Sequence, residues 1–440
     1  TEFNSGGIMT MHTKLLGSVA LSTLLMFGFT GCGSDDDTVA AAPTIAADTT
    51  VTPYTRVAVM SGTWAEVPAI AEKIAQYVVY TNEATALSLP SNWVIAGANG
   101  GADGLSGPET WDVDGSDLLP IPGMGSAVTG TARVIEFCNK AYALQAVGTG
   151  RFHGSALPCE VSVHSDGTNI YVDMLDASAI FNIFFTDATD NFDAAQNAAF
   201  AEMAAAVKSE LRTMIKAGLE DDSGVSGSAA ITYTESTEEL GPQFTQSEIE
   251  NDIAFRSPYL VYKYSGTGSA TDGSFVKGTD DKFLAQAIID TLGTAAATAD
   301  KTVGLEGLSA LSAWRSGRPD PIAIPNVQVV EACSPKYAKK ATALGNEYIT
   351  ALPCEFTVYV DETDDTNNTI AISFLNPNFM FGTMFEGAVQ NAFMNGDLNK
   401  TQVVEYSTLA DVVFGDLRMI VDHAVQDDAG LHGFGLTITE

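Results

Sequence analysis

The sequence predicts an α+β protein built from two tandem copies of one domain. Three observations carry this reading. The pentapeptide ALPCE occurs at Ala156–Glu160 and again at Ala351–Glu355, an offset of 195 residues. The match extends outward from both copies in unchanged order. Within each copy, segments of alternating apolar residues are interleaved with segments that are apolar every third or fourth position, the patterns of half-buried strands and core-facing helices.

Each copy opens on a strand, YTRVAVM before Ser61-Gly62-Thr63 and PYLVYKY before Ser265-Gly266-Thr267. A helix follows, carried by Ile70, Ile74 and Val78 in the first copy and by Leu284, Ile288 and Leu292 in the second. The next strand ends in a cysteine: Arg133-Val134-Ile135-Glu136-Phe137-Cys138 faces Gln328-Val329-Val330-Glu331-Ala332-Cys333. A short helical connection containing Tyr142 or Tyr337 leads to ALPCE, which opens an alternating strand, Cys159-Glu160-Val161-Ser162-Val163 or Cys354-Glu355-Phe356-Thr357-Val358. The cysteine stands on the apolar face of that strand. Then IYVDMLDASAIF at 170–181 faces IAISFLNPNFMF at 370–381, after a turn five residues longer in the second copy. A long helix follows, striped by Phe200, Met203, Val207, Leu211, Met214 and Ile215, with Leu409, Val413, Leu417 and Ile420 as counterparts. Each copy closes on a strand-like run, AAITYT or GLTITE. Preserved order with small changes in offset is what loop insertions do to a duplicated domain. The expected domains are residues 55–235 and 257–440, with 236–256 as linker.

Composition narrows the function classes. The 440 residues include 21 Lys plus Arg against 55 Asp plus Glu, a formal net charge of −34. Such a field repels phosphate backbones and anionic lipid headgroups, so no nucleic-acid partner is expected. The acidic clusters Asp112–Asp117 and Asp361–Asp365 do not fit the spacing of a calcium loop. No phosphate-binding loop, His-Glu-x-x-His, haem-attachment motif or Gly-x-Ser-x-Gly elbow occurs. No cofactor is therefore expected, and enzymatic activity is not the favoured reading.

The N-terminal region holds the most specific signal. Residues Thr1–Ile8 precede the first methionine and are set aside. From Met9 or Met11, Lys14 is followed by LLGSVALSTLLMFGF, an apolar run with the length of a signal peptide's hydrophobic region. It ends in Phe29-Thr30-Gly31-Cys32, which resembles the lipobox of bacterial lipoproteins. That resemblance implies removal of residues 1–31 and acylation of Cys32, a durable membrane anchor. Gly33 replaces the aspartate that marks inner-membrane retention in enteric lipoproteins, so the expected destination is the outer membrane, facing periplasm or cell surface. Residues 32–54 read as a flexible acidic tether, and this lipid anchor is the expected contact with the membrane.

The remaining cysteines form one pair per copy, Cys138 with Cys159 and Cys333 with Cys354, each 21 positions apart. In an exported chain such pairs suggest disulfides. If the two strands are antiparallel neighbours, a bridge is within reach and would contribute ~3 kcal/mol. Two reduced core cysteines fit the same pattern, and two alternatives compete. A metal site would recruit His153 and His164, but the second copy has Tyr348 and Tyr359 there, so no metal is expected. A redox pair would need an exposed thiolate, which apolar-face placement disfavours. Glu136 and Glu331 share a strand face with the cysteine two residues on. They are candidate bases or buried carboxylates, or else strand-end glutamates.

Cys138-Asn139-Lys140-Ala141-Tyr142 with Leu157-Pro158-Cys159, and Cys333-Ser334-Pro335-Lys336-Tyr337 with Leu352-Pro353-Cys354, resemble the motifs of the domain of unknown function 302 family. Lys140 departs from the family's usual proline, Ser334 from its asparagine, and both copies carry long insertions after the first helix. The resemblance implies a TATA-box-binding-protein-like α+β domain, a curved antiparallel sheet packed on helices, that pairs as a dimer. Two copies in one chain would then form an intramolecular pseudo-dimer. The family brings no established activity. The expected function is a lipid-anchored binding protein for a small ligand or partner protein, held along the cleft between the domains, with Glu136, Tyr142, Glu331 and Tyr337 as candidate binding residues. A thiol–disulfide or sulfur-handling protein and an adhesive surface component are the alternatives.

Overall fold

In the computed structural model of the chain, the described residues are 50–84, 93–95, 132–157, 159–223, 229–252, 258–298, 320–332, 343–351, 354–361, 368–428 and 436–438, with 314, 316, 334, 337, 340, 341 and 363. The expected signal segment and Cys32 lie outside them.

The first repeat begins with strand β1 (Tyr54–Ser61) and helix α1 (Val67–Ala84), whose predicted stripe Ile70, Ile74 and Val78 is buried. Strands β2 (Trp93–Ile95) and β3 (Arg133–Asn139) follow. Asn139 caps helix α2 (Lys140–Thr149) by accepting from the Ala141 and Tyr142 amides, so the chain turns sharply out of the sheet. A 3-10 helix (Arg151–Ala156) leads into β4 (Cys159–Ser165) and β5 (Asn169–Leu175). Helices α3 (Ala177–Phe184), α4 (Thr186–Thr189) and α5 (Ala194–Glu220) complete the repeat.

Residues 239–251 of the connecting segment are folded onto the first repeat. Glu239–Leu240 pairs with β1, Phe244–Thr245 pairs with Thr50–Val51, and helix α6 (Gln246–Asn251) follows. Thr50–Tyr54, at the end of the expected tether, is thus part of the folded body.

The second repeat runs through β6 (Tyr259–Ser265), α7 (Asp280–Thr298), β7 (Ile322–Ile324), β8 (Val327–Ala332), a 3-10 helix (Asn346–Ala351), β9 (Cys354–Val360) and β10 (Thr369–Leu375). Helices α8 (Pro377–Met380), α9 (Glu386–Met394), α10 (Lys400–Ser407) and α11 (Leu409–His423) precede β11 (Thr437–Ile438).

Both repeats are curved antiparallel sheets packed on helices, in the same strand order. The first reads β2-β3-β4-β5-β1 and then Thr234–Glu235; the second reads β7-β8-β9-β10-β6 and then β11. One face of each sheet is the apolar core, with Ile135, Phe137, Val161 and Val163 under α1 in the first repeat and Val330, Phe356, Val358 and Phe374 under α7 in the second.

The opposite faces meet one another rather than water. The 3-10 helix Arg151–Ala156 packs on β9 and β10, and its counterpart Asn346–Ala351 packs on β4 and β5. Ser155 Oγ lies 2.8 Å from Thr357 Oγ1, and Ser162 Oγ lies 2.8 Å from Thr350 Oγ1. These four residues are two pairs at the same 195-residue offset, so the contacts are reciprocal, as in an isologous interface. Gly154 permits the close approach: a Cβ there would stand 2.8 Å from the Thr357 side chain.

Candidate functional site

Register decides what lies between the repeats. Glu136 is directly opposite Glu160 in the β3–β4 ladder, and Glu331 is directly opposite Glu355 in β8–β9. Partners in an antiparallel ladder point to the same face, and here that face is the interface. The four side chains are only 0, 5, 2 and 3% exposed in that order. Across the interface each glutamate acts on its own counterpart, Glu136 with Glu331 and Glu160 with Glu355. Residues beside a twofold axis meet their equivalents in this way.

The electrostatics follow from burial. Desolvation pushes Glu136, Glu160 and Glu355 well above the usual carboxylate range, and the charge of neighbouring carboxylates adds to it, while a hydrogen bond with Glu355 pulls Glu160 partly back. No hydrogen-bond donor of the ordinary kind reaches either oxygen of Glu136, Oε2 of Glu160 or Oε1 of Glu355. A protonated carboxyl is itself a donor, so a proton on one member satisfies the other. Glu136 and Glu331, predicted as candidates, are thus brought together. Glu160 and Glu355 were missed, because in Cys-Glu-Val-Ser-Val the polar positions read as a solvent face.

The same registers correct the expected disulfide. Cys138 and Cys159 are free thiols. Phe137, not Cys138, is the partner of Cys159, so the two cysteines start from opposite faces of the sheet. Cys138 is on the interface side, and burial, with Glu331 nearby, pushes its thiol up to about 12. Burial raises Cys159 too, with Glu160 and Cys138 adding to the shift. Both are weak nucleophiles at neutral pH. In the second repeat Ala332 pairs with Cys354, the same offset. Cys333 and the Cys354 side chain lie outside the described residues.

Tyr142 and Tyr337 occupy equivalent places inside their own repeats. Trp93 Nε1 and the Tyr142 hydroxyl donate to the two oxygens of Glu210 at 2.6 and 2.7 Å. Trp314 Nε1 and the Tyr337 hydroxyl donate to Asp416 Oδ2 at 3.0 and 2.6 Å. Each carboxylate comes from the long C-terminal helix and ties it to the cysteine strand's exit. Each tyrosine thus contacts a carboxylate of its own repeat rather than the glutamates with which it was grouped.

His153 and His164 do not converge. His153 Nδ1 is 2.6 Å from Thr149 Oγ1 and Nε2 is 3.1 Å from Asp187, while His164 Nε2 is 2.7 Å from Asp173, which also accepts from Arg56 Nε. Among the described residues no three His, Cys, Asp or Glu side chains are arranged to hold a metal ion.

An open space lies elsewhere. A cavity of ≈ 570 Å³ sits between α3, α4, α5 and α6 of the first repeat. Phe181 and Phe200 form its apolar wall, their rings 5.1 Å apart, and Asn182, Asn197, Gln246 and Glu250 contribute polar groups. The sequence gives little hint of it, because it depends on where α6 comes to rest.

The family model described as "Domain of unknown function DUF302" matches residues 127–218 and 320–398. Both segments begin after the first strand and helix of their repeat and contain the glutamates and cysteines described above. No curated protein and no solved structure matches the chain.

Proposed function

We propose that the two segments matched by the DUF302 model belong to tandem copies of which the second serves as a structural mate for the first, and that the whole is a lipid-anchored, exported binding protein for a small ligand. The observation that carries this is the ≈ 570 Å³ cavity of the first repeat, within the size range of small-molecule sites. The two 3-10 helices pack across the interface between the repeats, so the ligand is proposed in the α3–α6 cavity rather than along an interdomain cleft. Its aromatic wall suits an apolar or aromatic body, and its amide groups suit hydrogen bonding. Asp190 and Glu250 are among its lining residues, and no Lys or Arg is among those described. A neutral or cationic ligand is therefore favoured over an anion.

Titration of the full chain with Nile red, a neutral aromatic probe, tests the cavity. Saturable emission that falls at least about tenfold in affinity in Ala201→Trp, which fills the space from an exposed position on α5, supports the site. Absence of saturable binding defeats it. The anchor is tested separately by metabolic labelling with an alkynyl fatty acid, where Cys32→Ser loses the label. The thiol-exchange alternative draws less support, since the Cys138 thiol is held at about 12. Its alkylation by iodoacetamide should stay slow until strongly alkaline pH, and rapid modification at neutral pH would revive that alternative.

A further inference from the structure

The ligand cavity leaves the four interface glutamates unexplained. Burying carboxylates against one another is costly unless charge is removed or paired. Two ladders place them in facing pairs on the two sheets, and Glu160 and Glu355 line one small cavity of ≈ 30 Å³. That cavity is itself built from equivalent residues, Leu175 with Leu375, Ile180 with Met380 and Phe184 with Met384. Its lip is apolar, so nothing there offsets negative charge.

Among the described residues, no Lys, Arg or His is among the groups acting on Glu136, Glu160 or Glu355. From β1, Tyr54 lies near Glu160, and from β3, Cys138 lies near Glu331. From the second 3-10 helix, Glu347 and Tyr348 act on Tyr54. On the same face of the first sheet Arg56 and the His164 ring are bound to Asp173, and on that of the second sheet Lys263 is paired with Asp361 at 3.1 Å. Two carboxyl groups in contact in such surroundings do not both ionise.

We propose that the quartet is a proton-held joint: each cross-repeat glutamate pair keeps at least one carboxyl proton at neutral pH, and losing it at alkaline pH drives the repeats apart. The sign follows from linkage. The joint's contribution is complete below the ordinary carboxylate range and is lost as pH rises through the raised values of the folded state.

The full chain is unfolded in urea from mildly acidic to mildly alkaline pH. Two retained protons make the unfolding constant rise by about 100-fold per pH unit within the window. Glu136→Gln with Glu355→Gln, one neutral and donating isostere per pair, should flatten that slope; an unchanged slope overturns the proposal. Infrared spectroscopy of the unmodified protein gives a readout that does not depend on a variant folding. A protonated-carboxyl stretch is expected at neutral pH and should vanish at alkaline pH, and its absence at neutral pH refutes the joint. Small-angle scattering at alkaline pH without denaturant should show an enlarged radius of gyration; an unchanged radius once the stretch is lost refutes the separation. Stabilisation by Ca²⁺ or Mg²⁺ that EDTA reverses, with no such stretch, would make the quartet a cation site and overturn the proton reading. None of these outcomes bears on the ligand cavity.

Discussion

The two repeats share a skeleton but not a surface. Both keep the Trp–Tyr–carboxylate contact, Trp93–Tyr142–Glu210 and Trp314–Tyr337–Asp416. Both keep two buried glutamates on the interface face. They differ where a side chain meets something present only once. His153 packs 4.5 Å from Phe185 and contacts Asp187, whereas Tyr348 packs 5.2 Å from Phe385, where Gly387 stands at the aspartate's position. The His164–Asp173–Arg56 network gives way to Tyr359, Ser373 and Val261. Likewise α5 is one helix of 27 residues, while its counterpart is split into α10 and α11 at Thr408. What is common holds each repeat together and to its mate; what differs tailors one side.

That contrast can be broken at several points. The largest effect is expected at the shared carboxylates. Glu210→Ala and Asp416→Ala each remove the acceptor shared by a Trp and a Tyr donor, at about 2–5 kcal/mol. Urea denaturation should find both losses of similar size, and a large loss in one repeat alone would end the equivalence.

Gly154→Val drives a side chain into Thr357 and should destabilise by about 1–3 kcal/mol. Gly148→Ala, where the added carbon meets nothing within 4 Å, should be neutral or stabilising by up to about 1 kcal/mol. Equal effects would mean the 3-10 helix does not depend on close approach.

Transplanting the second repeat's solution sharpens the comparison further. Asp187→Gly alone should cost about 1 kcal/mol, and adding His153→Tyr should recover part of it, a coupling of about 0.5–1.5 kcal/mol. Strict additivity in the double-mutant cycle would show that the two positions do not act as a unit. A modest effect, read in the same urea denaturation, belongs to Ser162→Ala or Thr350→Val, each removing one hydroxyl contact at about 1 kcal/mol.

The duplication, the helical stripes and the strand alternation were legible because burial writes itself into periodicity. Ile70, Ile74 and Val78 are buried, as are Leu284, Ile288 and Leu292. Alternation in Cys159–Val163 correctly separates two faces, but it cannot say what covers the polar one. Glu160 and Ser162 therefore read as solvent-facing, although the other repeat buries them. The cysteine pair misled for a related reason. Spacing brings two strand ends together, whereas the one-residue stagger that puts Phe137 opposite Cys159 belongs to the ladder. The cavity was illegible because the connecting segment's low apolar content suggested a loose linker, while its pairing with Thr50–Val51 fixes α6 against α3 and α5.

That ordered connecting segment has a consequence for how such a protein can change. When two identical chains assemble, any substitution arrives on both sides of the axis at once and must suit both. Joining the halves in one chain gives each position a single address. Here a histidine at one position can stand where the other half has a tyrosine, and a helix can run unbroken in one half while it is split in its mate. The symmetry that built the interface no longer constrains what either half becomes.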